Sequence, residues 1–230
     1  MKLERMDDFF AARVDGYDEH MRTTIEGASA FYAYTASLLP LEKGARVLDL
    51  GCGTGLELEE YFRLNPEAEV TGIDLSEAML KMLKDKLPDR KIHLILGSYF
   101  DVPFGENAYD AAVSVESLHH FTAGQKEALY RKLHAALGDN GRFVLTDYFA
   151  ESEELEKEYF QNLKLLKEEQ GLPENEFFHY DTPLTVEHEM DVLCRAGFRD
   201  VRIGSEFLHP AQDDESCVGS LGHEEIFRFL

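Results

Sequence analysis

The sequence predicts an α/β fold with a doubly wound, mostly parallel sheet and helices on both of its faces. Short apolar runs alternate with helical patterns from about residue 46 onward, and residues that can start a helix precede several of those patterns. Such alternation favours parallel strands joined by right-handed crossovers. A chain of 230 residues has room for one core of this kind and a small cap or lid.

Five short runs rich in Val, Ile, Leu or Phe are the predicted parallel strands. They are residues 46–50, 69–74, 91–96, 109–115 and 141–147. Two further apolar runs follow near the C-terminus, at residues 198–203 and 225–230. Only a loop without a helical pattern separates these two runs, so we expect an antiparallel hairpin at the sheet edge. The predicted sheet therefore has seven strands.

Helix-start residues and a charged insertion define the remaining elements. Thr54, Ser76 and Thr122 each stand before a helical pattern, as capping residues do. Residues 151–170 form a charged helical stretch that departs from the strand–helix alternation, and we therefore place a helical insertion at about residues 150–185.

The segment before the first strand is predicted to be helical. Residues 5–39 read as one or two helices that carry several aromatic side chains. Because this segment lies outside the alternating core, we interpret residues 1–40 as an N-terminal helical lid segment over a ligand. Residues 41–230 then form a single domain that contains the helical insertion.

The composition narrows the class of partner. The formal charge of -22 at pH 7 would repel a phosphate backbone, so nucleic acid is disfavoured and a small molecule is preferred. The mean hydropathy is -0.33, and no apolar stretch approaches the roughly 20 residues of a membrane span. Without a secretory pattern at the start, a cytoplasmic location with no membrane contact is the default expectation. The three cysteines form no CxxC pair, so neither disulfides nor a zinc knuckle is expected.

A glycine-rich loop follows the first predicted strand and opens a helix. In Gly51-Cys52-Gly53-Thr54-Gly55, the glycines permit a tight turn and a close approach of the backbone to a ligand. The amides of the following helix N-terminus favour a carboxylate or phosphate. Leu56 occupies the position where a nicotinamide-binding fingerprint has its last glycine, which counts against a dehydrogenase.

An acidic residue completes the predicted nucleotide site. Asp74 stands 19 residues after Gly55, at the end of the second predicted strand. A carboxylate at that point can accept hydrogen bonds from ribose hydroxyls. Loop and acid together favour a ligand that contains a ribose.

The run Val47-Leu48-Asp49-Leu50-Gly51-Cys52-Gly53-Thr54-Gly55 resembles the first motif of the class I, S-adenosylmethionine-dependent methyltransferase family. The similarity covers roughly residues 45–150, and its further motifs are Gly72-Ile73-Asp74-Leu75-Ser76, Met79, Gly97-Ser98-Tyr99, Val102-Pro103-Phe104, Tyr109-Asp110 and His119-His120-Phe121. The resemblance implies an enzyme that uses S-adenosyl-L-methionine and releases S-adenosyl-L-homocysteine.

The resemblance also implies how the cofactor is held. In the family the glycine loop holds the methionine moiety, the acid after the second strand holds the ribose, and residues after the third strand flank the adenine. Carried over, the cofactor-binding residues are Asp49, Gly51, Cys52, Gly53, Thr54, Gly55, Asp74, Leu75, Met79, Ser98 and Tyr99. Many relatives have an acid at position 98. Here the Ser98 hydroxyl must accept the hydrogen bond, and Tyr99 would pack on the purine.

The tip of the fourth strand is expected beside the sulfonium, because ligands of doubly wound sheets bind beyond the carboxyl ends of the strands. Glu116 lies there, and its carboxylate would hold the cofactor amine or a cationic substrate, unless it is only an exposed loop acid. His119 and His120 are candidate general bases, with packing as the competing interpretation. Tyr17 resembles a tyrosine that closes over the cofactor in relatives. The nine histidines form no HxxxH or HxH cluster, so no metal site is predicted.

The leading hypothesis is methyl transfer to a small-molecule acceptor. The alternative is a protein that binds S-adenosylmethionine or a modified sulfonium without classical methyl transfer, such as a regulatory module. A nicotinamide oxidoreductase is a third hypothesis, and it requires the loop to tolerate Leu56. The sequence does not define the acceptor, whether O, N, S or C is methylated, whether a general base is used, or the oligomeric state. A homodimer is one possible arrangement.

Overall fold

The structure, a computed structural model, describes residues 1–25, 28–173, 176–208 and 224–229. Its helices are α1 (Met6–Thr24), α2 (Ala28–Ser37), α3 (Leu56–Leu64), α4 (Glu77–Lys86), α5 (Ala123–Ala136), α6 (Glu153–Gln170) and α7 (Val186–Arg195). Its strands are β1 (Arg46–Leu50), β2 (Glu69–Asp74), β3 (Lys91–Leu96), β4 (Tyr109–Val115), β5 (Leu137–Phe149), β6 (Arg202–Leu208) and β7 (Glu224–Phe229).

The first five strands form a parallel sheet in the order β3-β2-β1-β4-β5. Helices α3, α4 and α5 join β1 to β2, β2 to β3 and β4 to β5, so the predicted α/β fold with a mostly parallel, doubly wound sheet is confirmed. Strands β1 to β4 have the predicted bounds. Strand β5 begins at Leu137 rather than Gly141, because Leu137 pairs with Tyr109 before the register shifts along β4.

Two C-terminal strands continue the sheet beyond β5. The backbone of β7 runs antiparallel to β5, and β6 runs antiparallel to β7. Strand β6 begins at Arg202, several residues later than the predicted start at Phe198. Residues 209–223, which connect the two strands, lie outside the described residues, so the seven-stranded sheet with a closed edge hairpin stays a prediction.

The core lies on both faces of the sheet. The adjacent residues Val47 and Leu48 of β1 are fully buried, and they belong to two different clusters of buried side chains. One cluster includes Phe31 of α2 and Tyr61 of α3, and the other includes Tyr130 of α5. Burial on both faces explains why the strands read as nearly continuous apolar runs.

The helix starts confirm most of the capping predictions. Ser76 accepts a hydrogen bond from the Met79 amide, and Thr122 forms a capping box with Gln125. The expectation for Thr54 was wrong. Gly55 is the N-cap of α3 with a φ of 74° and no side-chain cap, because the Thr54 hydroxyl instead donates to Asp18 of α1.

The N-terminal helix α1 is attached to the domain at both ends. At its start, the Met6 amide donates to the Phe177 carbonyl oxygen over 3.2 Å, and the His179 amide donates to the Glu4 carbonyl oxygen over 3.0 Å. Near its end, Asp18 accepts from Thr54 over 2.5 Å and from Lys86 over 2.6 Å. In the described ranges, no helix combines the length and apolar character needed to cross a bilayer.

Candidate active site

An open cavity of about 530 Å³ lies at the carboxyl ends of β1, β2 and β4 and beneath α1. That volume includes space that is open to solvent. It is lined by Met6, Phe10, Tyr17, Gly51, Gly53, Asp74, Leu75, Met79, Tyr99, Val115, Glu116, Ser117 and His120. Nine of these are residues that the sequence singled out, and the structure therefore brings most of the predicted site together.

The glycine loop is held against the end of β2. The amides of Gly51 and Cys52 both donate to the carbonyl oxygen of Ile73, over 2.9 and 3.2 Å. The Asp74 carboxylate accepts from the Gly53 amide and the Ser76 amide, each over 2.8 Å. Burial raises the pKa of Asp74, while these backbone hydrogen bonds oppose the shift. Asp74 thus positions the loop as well as facing the cavity.

Two glycines of the loop are needed for different reasons. Gly51 has a φ of 76°, and an added Cβ would lie 2.1 Å from the Ser117 Oγ atom and 2.6 Å from its Cβ atom. Gly53 has a φ of 47°, but an added Cβ would approach only the Gly51 carbonyl oxygen, at 3.9 Å. Gly51 is required by packing, whereas Gly53 leaves its surroundings open for a ligand.

This difference predicts unequal effects of two alanine substitutions. Gly51→Ala should lower the free energy of unfolding by about 2–3 kcal/mol through overpacking and backbone strain, and Gly53→Ala by about 1 kcal/mol through strain alone. Urea denaturation measures both. Adding Ser117→Gly should recover part of the loss in Gly51→Ala, and equal losses in the two single variants would contradict the packing role.

Three other loop residues shape the turn without lining the cavity. Cys52 is buried, and its Sγ atom lies 2.8 Å from the position that a Cβ on Gly72 would take. Thr54 bonds α1, and an added Cβ on Gly55 would lie 2.9 Å from Leu83. These contacts hold the loop in place beside the cavity.

Of the two residues predicted to flank the adenine, Tyr99 lines the cavity and Ser98 does not. The buried Tyr99 lines the cavity, and its hydroxyl lies 3.2 Å from both the carbonyl oxygen and the Oγ atom of Ser117. Ser98 is not among the lining residues, and its Oγ atom accepts from the Phe100 amide over 3.2 Å. Its contact with an adenine amino group stays a prediction.

A pair of buried acids lies below the glycine loop. Asp49 of β1 and Glu57 of α3 are almost fully buried and interact with each other, and neither Asp49 oxygen has a donor among the described residues. Burial, followed by the negative charge of Glu57, raises the pKa of Asp49 well above its usual range. Burial also raises the pKa of Glu57, although Lys86 opposes that shift. Two carboxyl groups in contact can hydrogen-bond only when one of them holds a proton.

This pair predicts a pH-dependent gain in stability for Glu57→Gln. A carboxyl whose pKa is raised in the folded state favours folding at pH below its ordinary pKa, and this contribution is lost as pH rises through the folded value. Removing one carboxyl should therefore raise the free energy of unfolding by on the order of 1 kcal/mol at pH 9 and by less at pH 5. Urea denaturation at both pH values tests this, with the exposed Glu106→Gln as control. A variant less stable than the wild type at pH 9 would contradict the repulsion.

Two histidines lie at the carboxyl end of β4, next to acids that the sequence did not assign. His119 Nδ1 lies 2.5 Å from Asp147 Oδ1, and His119 Nε2 lies 3.5 Å from Asp181 Oδ1. His120 Nδ1 lies 3.1 Å from the Tyr180 carbonyl oxygen and 3.2 Å from Asp181 Oδ1. Although burial opposes it, the carboxylates of Asp147 and Asp181 raise the pKa of His119 well above its usual range. Burial and the charge of His119 lower the pKa of His120.

Tyr17 and Glu116 border the same cavity. Burial, and then the charge of Glu116, raises the pKa of Tyr17, so its phenol stays protonated. Glu116 has a φ of 50°, a left-handed conformation that is uncommon for residues other than glycine. Its amide donates to the Thr146 carbonyl oxygen over 2.8 Å, which holds the turn after β4.

Several residues that shape the site were missed at the sequence level: Asp18, Glu57, Asp147 and Asp181. Asp147 ends a buried run next to β4, and its position at a strand end was a usable signal. No such signal marks Asp181 in the sequence, because this residue lies in an irregular segment. Groups that could ligate a cation also meet here, although the sequence predicted no metal site: His119, His120 and Asp181 present atoms within 4.8 Å of one another, as do Glu116, His119 and Asp147.

Comparison with known proteins shows that part of the chain is similar to one family. The family described as "Methyltransferase domain" matches residues 47–141, which include the glycine loop, Asp74 and both histidines. The chain is 29% identical over 109 residues to the O-methyltransferase cnsE of Penicillium expansum, covering 46% of this chain and 38% of that protein. It is 39% identical over 83 residues to the demethylmenaquinone methyltransferase of Listeria welshimeri, covering 33% of this chain and 34% of that protein.

A solved structure shows the same fold. The crystal structure of a candidate O-methyltransferase from Nostoc punctiforme PCC 73102 superimposes with a TM-score of 0.68 and 21% identity, covering 100% of this chain and 63% of that one. The match to the two curated relatives spans little more than a third of their length. The sheet therefore has a Rossmann-like fold, and residues 47–141 are similar to a methyltransferase domain. The family match covers less than half of the 230 residues.

Proposed function

We propose that this protein transfers the methyl group of S-adenosyl-L-methionine to a small-molecule acceptor. The observation that carries the proposal is one cavity whose wall includes both the glycine loop with Asp74 and the turn with His120. When bound, S-adenosylmethionine supplies a methyl group activated by a sulfonium. The protein itself has to align the acceptor and exclude water, which suffices for much of the rate enhancement in reactions of this kind.

The proposed cofactor site fits the residues present. The Asp74 carboxylate retains acceptor capacity for ribose hydroxyls beyond its two backbone hydrogen bonds. The open space at Gly53 admits a ligand next to the backbone. The full proposed cofactor set is Asp49, Gly51, Cys52, Gly53, Thr54, Gly55, Asp74, Leu75, Met79, Ser98, Tyr99 and Glu116, and Tyr17, His119 and His120 are the residues proposed for the acceptor side.

The N-terminal and inserted segments are proposed to cover the acceptor. Met6, Phe10 and Tyr17 of α1 reach the cavity, which supports α1 as the covering part of the proposed lid segment at residues 1–40, whereas Phe31 of α2 is buried in the core. The insertion at about residues 150–185 contributes Asp181, beside the histidines. We also propose that β6 and β7 close as a hairpin at the sheet edge and so complete a seven-stranded sheet.

Isothermal titration with S-adenosylhomocysteine and transfer of tritium from S-adenosyl-[methyl-³H]methionine test the proposal in two steps. We expect S-adenosylhomocysteine to bind with a Kd well below about 1 mM, the value at which binding is worth only about 4 kcal/mol. We also expect methyl transfer to at least one member of a panel of phenols, amines, thiols and carboxylates. Absence of binding would overturn the proposal. Tight binding without transfer to any member would favour a binding protein without classical methyl transfer.

A further inference from the structure

The two adjacent histidines differ in which ring nitrogens are occupied. His120 Nδ1 lies 3.1 Å from the Tyr180 carbonyl oxygen, and a carbonyl oxygen can only accept a hydrogen bond. The Asp181 carboxylate lies 3.2 Å from the same nitrogen and is likewise an acceptor when ionised. In neutral His120 the single ring proton therefore resides on Nδ1, and Nε2 carries the lone pair.

His119 is held in the opposite way. Its Nδ1 contacts Asp147, and its Nε2 lies 3.5 Å from Asp181, so a carboxylate faces each ring nitrogen. The Asp147 carboxylate is held in turn by the Leu118 amide and the Tyr148 amide, over 2.9 and 3.1 Å. This arrangement stabilises a doubly protonated imidazolium, which has no lone pair with which to accept a proton.

We infer that His120 is the general base of this site, acting through Nε2 on an acceptor that bears a weakly acidic hydroxyl group. The inference rests on the proposed methyl transfer. The acceptor oxygen forms a bond to the methyl carbon, the carbon–sulfur bond breaks with its electron pair left on sulfur, and the hydroxyl proton moves to His120 Nε2. His119, Asp147 and Asp181 are positioning residues that fix the orientation and tautomer of His120.

The surroundings of His120 favour a hydroxyl on an apolar body. His120 lines the cavity together with the apolar side chains of Met6, Phe10 and Val115, whereas His119 does not line it. The wall also carries the polar side chains of Tyr17, Glu116 and Ser117, and this mixed lining suits an acceptor with an apolar body and a hydroxyl, such as a phenol or enol. Such a hydroxyl is mostly un-ionised near neutral pH, so its methylation benefits from a base, whereas an ionised thiol does not need one.

The same groups could be considered as a metal site, because His119, His120 and Asp181 lie close together. Their nitrogens, however, face hydrogen-bond acceptors. A ligating His120 Nδ1 would have to give up its proton and would then face the lone pairs of the Tyr180 carbonyl oxygen at 3.1 Å. The proton on Nδ1 satisfies both neighbours, and the base assignment is therefore preferred.

Imidazole ¹⁵N NMR on the full chain with bound S-adenosylhomocysteine tests the tautomer without any acceptor. His120→Gln and His179→Gln spectra assign the two neighbouring rings. At pH 7 we expect His120 to be neutral with its proton on Nδ1, and His119 to be protonated on both nitrogens. A proton on His120 Nε2, or a protonated His120, would overturn the inference. Failure of S-adenosylhomocysteine to bind would instead count against the proposed function.

Transfer assays with probe acceptors test the chemistry. With 1-naphthol or catechol as probe, His120→Gln should lower kcat/KM about 10²–10⁴-fold. Transfer to thiophenol, which is ionised at pH 8 without help, should change by no more than about threefold, since no proton has to be removed. The two reactions share the cofactor, so a loss in both would indicate damage to the site rather than a missing base. Equal losses of kcat/KM for the hydroxyl and thiol probes would overturn the inference. If none of the probes is methylated, the ¹⁵N NMR result decides whether His120 is the base.

The pH profile tests the positioning role of Asp181. The charged or titratable groups around His120 are His119 from its own turn and His179 and Asp181 from the insertion, and Asp147 of β5 contacts His119. Loss of the nearby carboxylate in Asp181→Asn should move the acidic limb of kcat/KM to lower pH, because protonated His120 loses its anionic partner. If the acidic limb of kcat/KM stayed at the same pH in Asp181→Asn, the positioning role of Asp181 would be overturned. Activity that EDTA removes and Zn²⁺ restores would assign these residues to a metal and overturn the base.

Discussion

Lys126→Met should lower the free energy of unfolding by about 3–5 kcal/mol, because it leaves a carboxylate buried without its cationic partner. Lys126 of α5 is 1% exposed and its Nζ atom lies 2.5 Å from Glu189 Oε2 of α7, which is 0% exposed. Tyr130 of α5 donates its hydroxyl to the other Glu189 oxygen. This buried triad fastens α7 to α5, and urea denaturation followed by far-UV circular dichroism measures its loss.

The exposed pair between Lys157 and Glu153 of α6 is the matched control. Their side chains are 62% and 58% exposed and lie 3.0 Å apart, so Lys157→Met should change stability by no more than about 0.5 kcal/mol. A double variant, Lys126→Met with Glu189→Leu, removes the orphaned charge and should recover much of the stability lost in the single variant. Similar losses for Lys126→Met and Lys157→Met would show that the buried charge is not the cause.

The parallel core could be predicted because its causes are local. Strands buried on both faces read as short apolar runs, and caps such as Ser76 and Thr122 mark where helices begin. Thr54 has the same chemistry as those caps, yet its hydroxyl bonds Asp18, which is 36 residues away in the chain. A tertiary hydrogen bond therefore replaces the helix cap that the local sequence predicts, and no residue spacing in the sequence reveals this contact.

The cofactor side of the site was predictable for the same reason. Gly51, Gly53 and Asp74 belong to turns at the ends of β1 and β2, which parallel pairing brings to one edge. The acceptor side depends on residues far apart in the chain. Asp181 reaches the histidines through an irregular segment, held in part where the Thr182 amide donates to the His119 carbonyl oxygen over 2.8 Å. Such a placement follows from packing alone, and the sequence could name the histidines but not distinguish them.

Asp74→Ala is expected to weaken binding of S-adenosylhomocysteine at least about 100-fold, equivalent to roughly 2.7 kcal/mol. Two effects combine. The variant loses the proposed acceptor of the ribose hydroxyls, and it also releases the Gly53 amide and the Ser76 amide, each bound to the carboxylate over 2.8 Å. Hydrogen bonds to a charged group contribute about 1.5–3 kcal/mol each, so either effect alone is large enough to be measured by isothermal titration.

Asp74→Asn separates these effects, since the two backbone amides donate to different carboxylate oxygens and asparagine has an NH2 donor in place of one of them. We expect an intermediate loss of affinity, with most of the loop order retained. The exposed Asp89→Ala removes the same carboxyl group elsewhere in the chain, and should leave the affinity unchanged. Unaltered binding by Asp74→Ala would show that Asp74 does not hold the ribose. If Asp74→Ala and Asp74→Asn lost affinity equally, the negative charge rather than the anchoring of the loop would be the property that the cofactor requires.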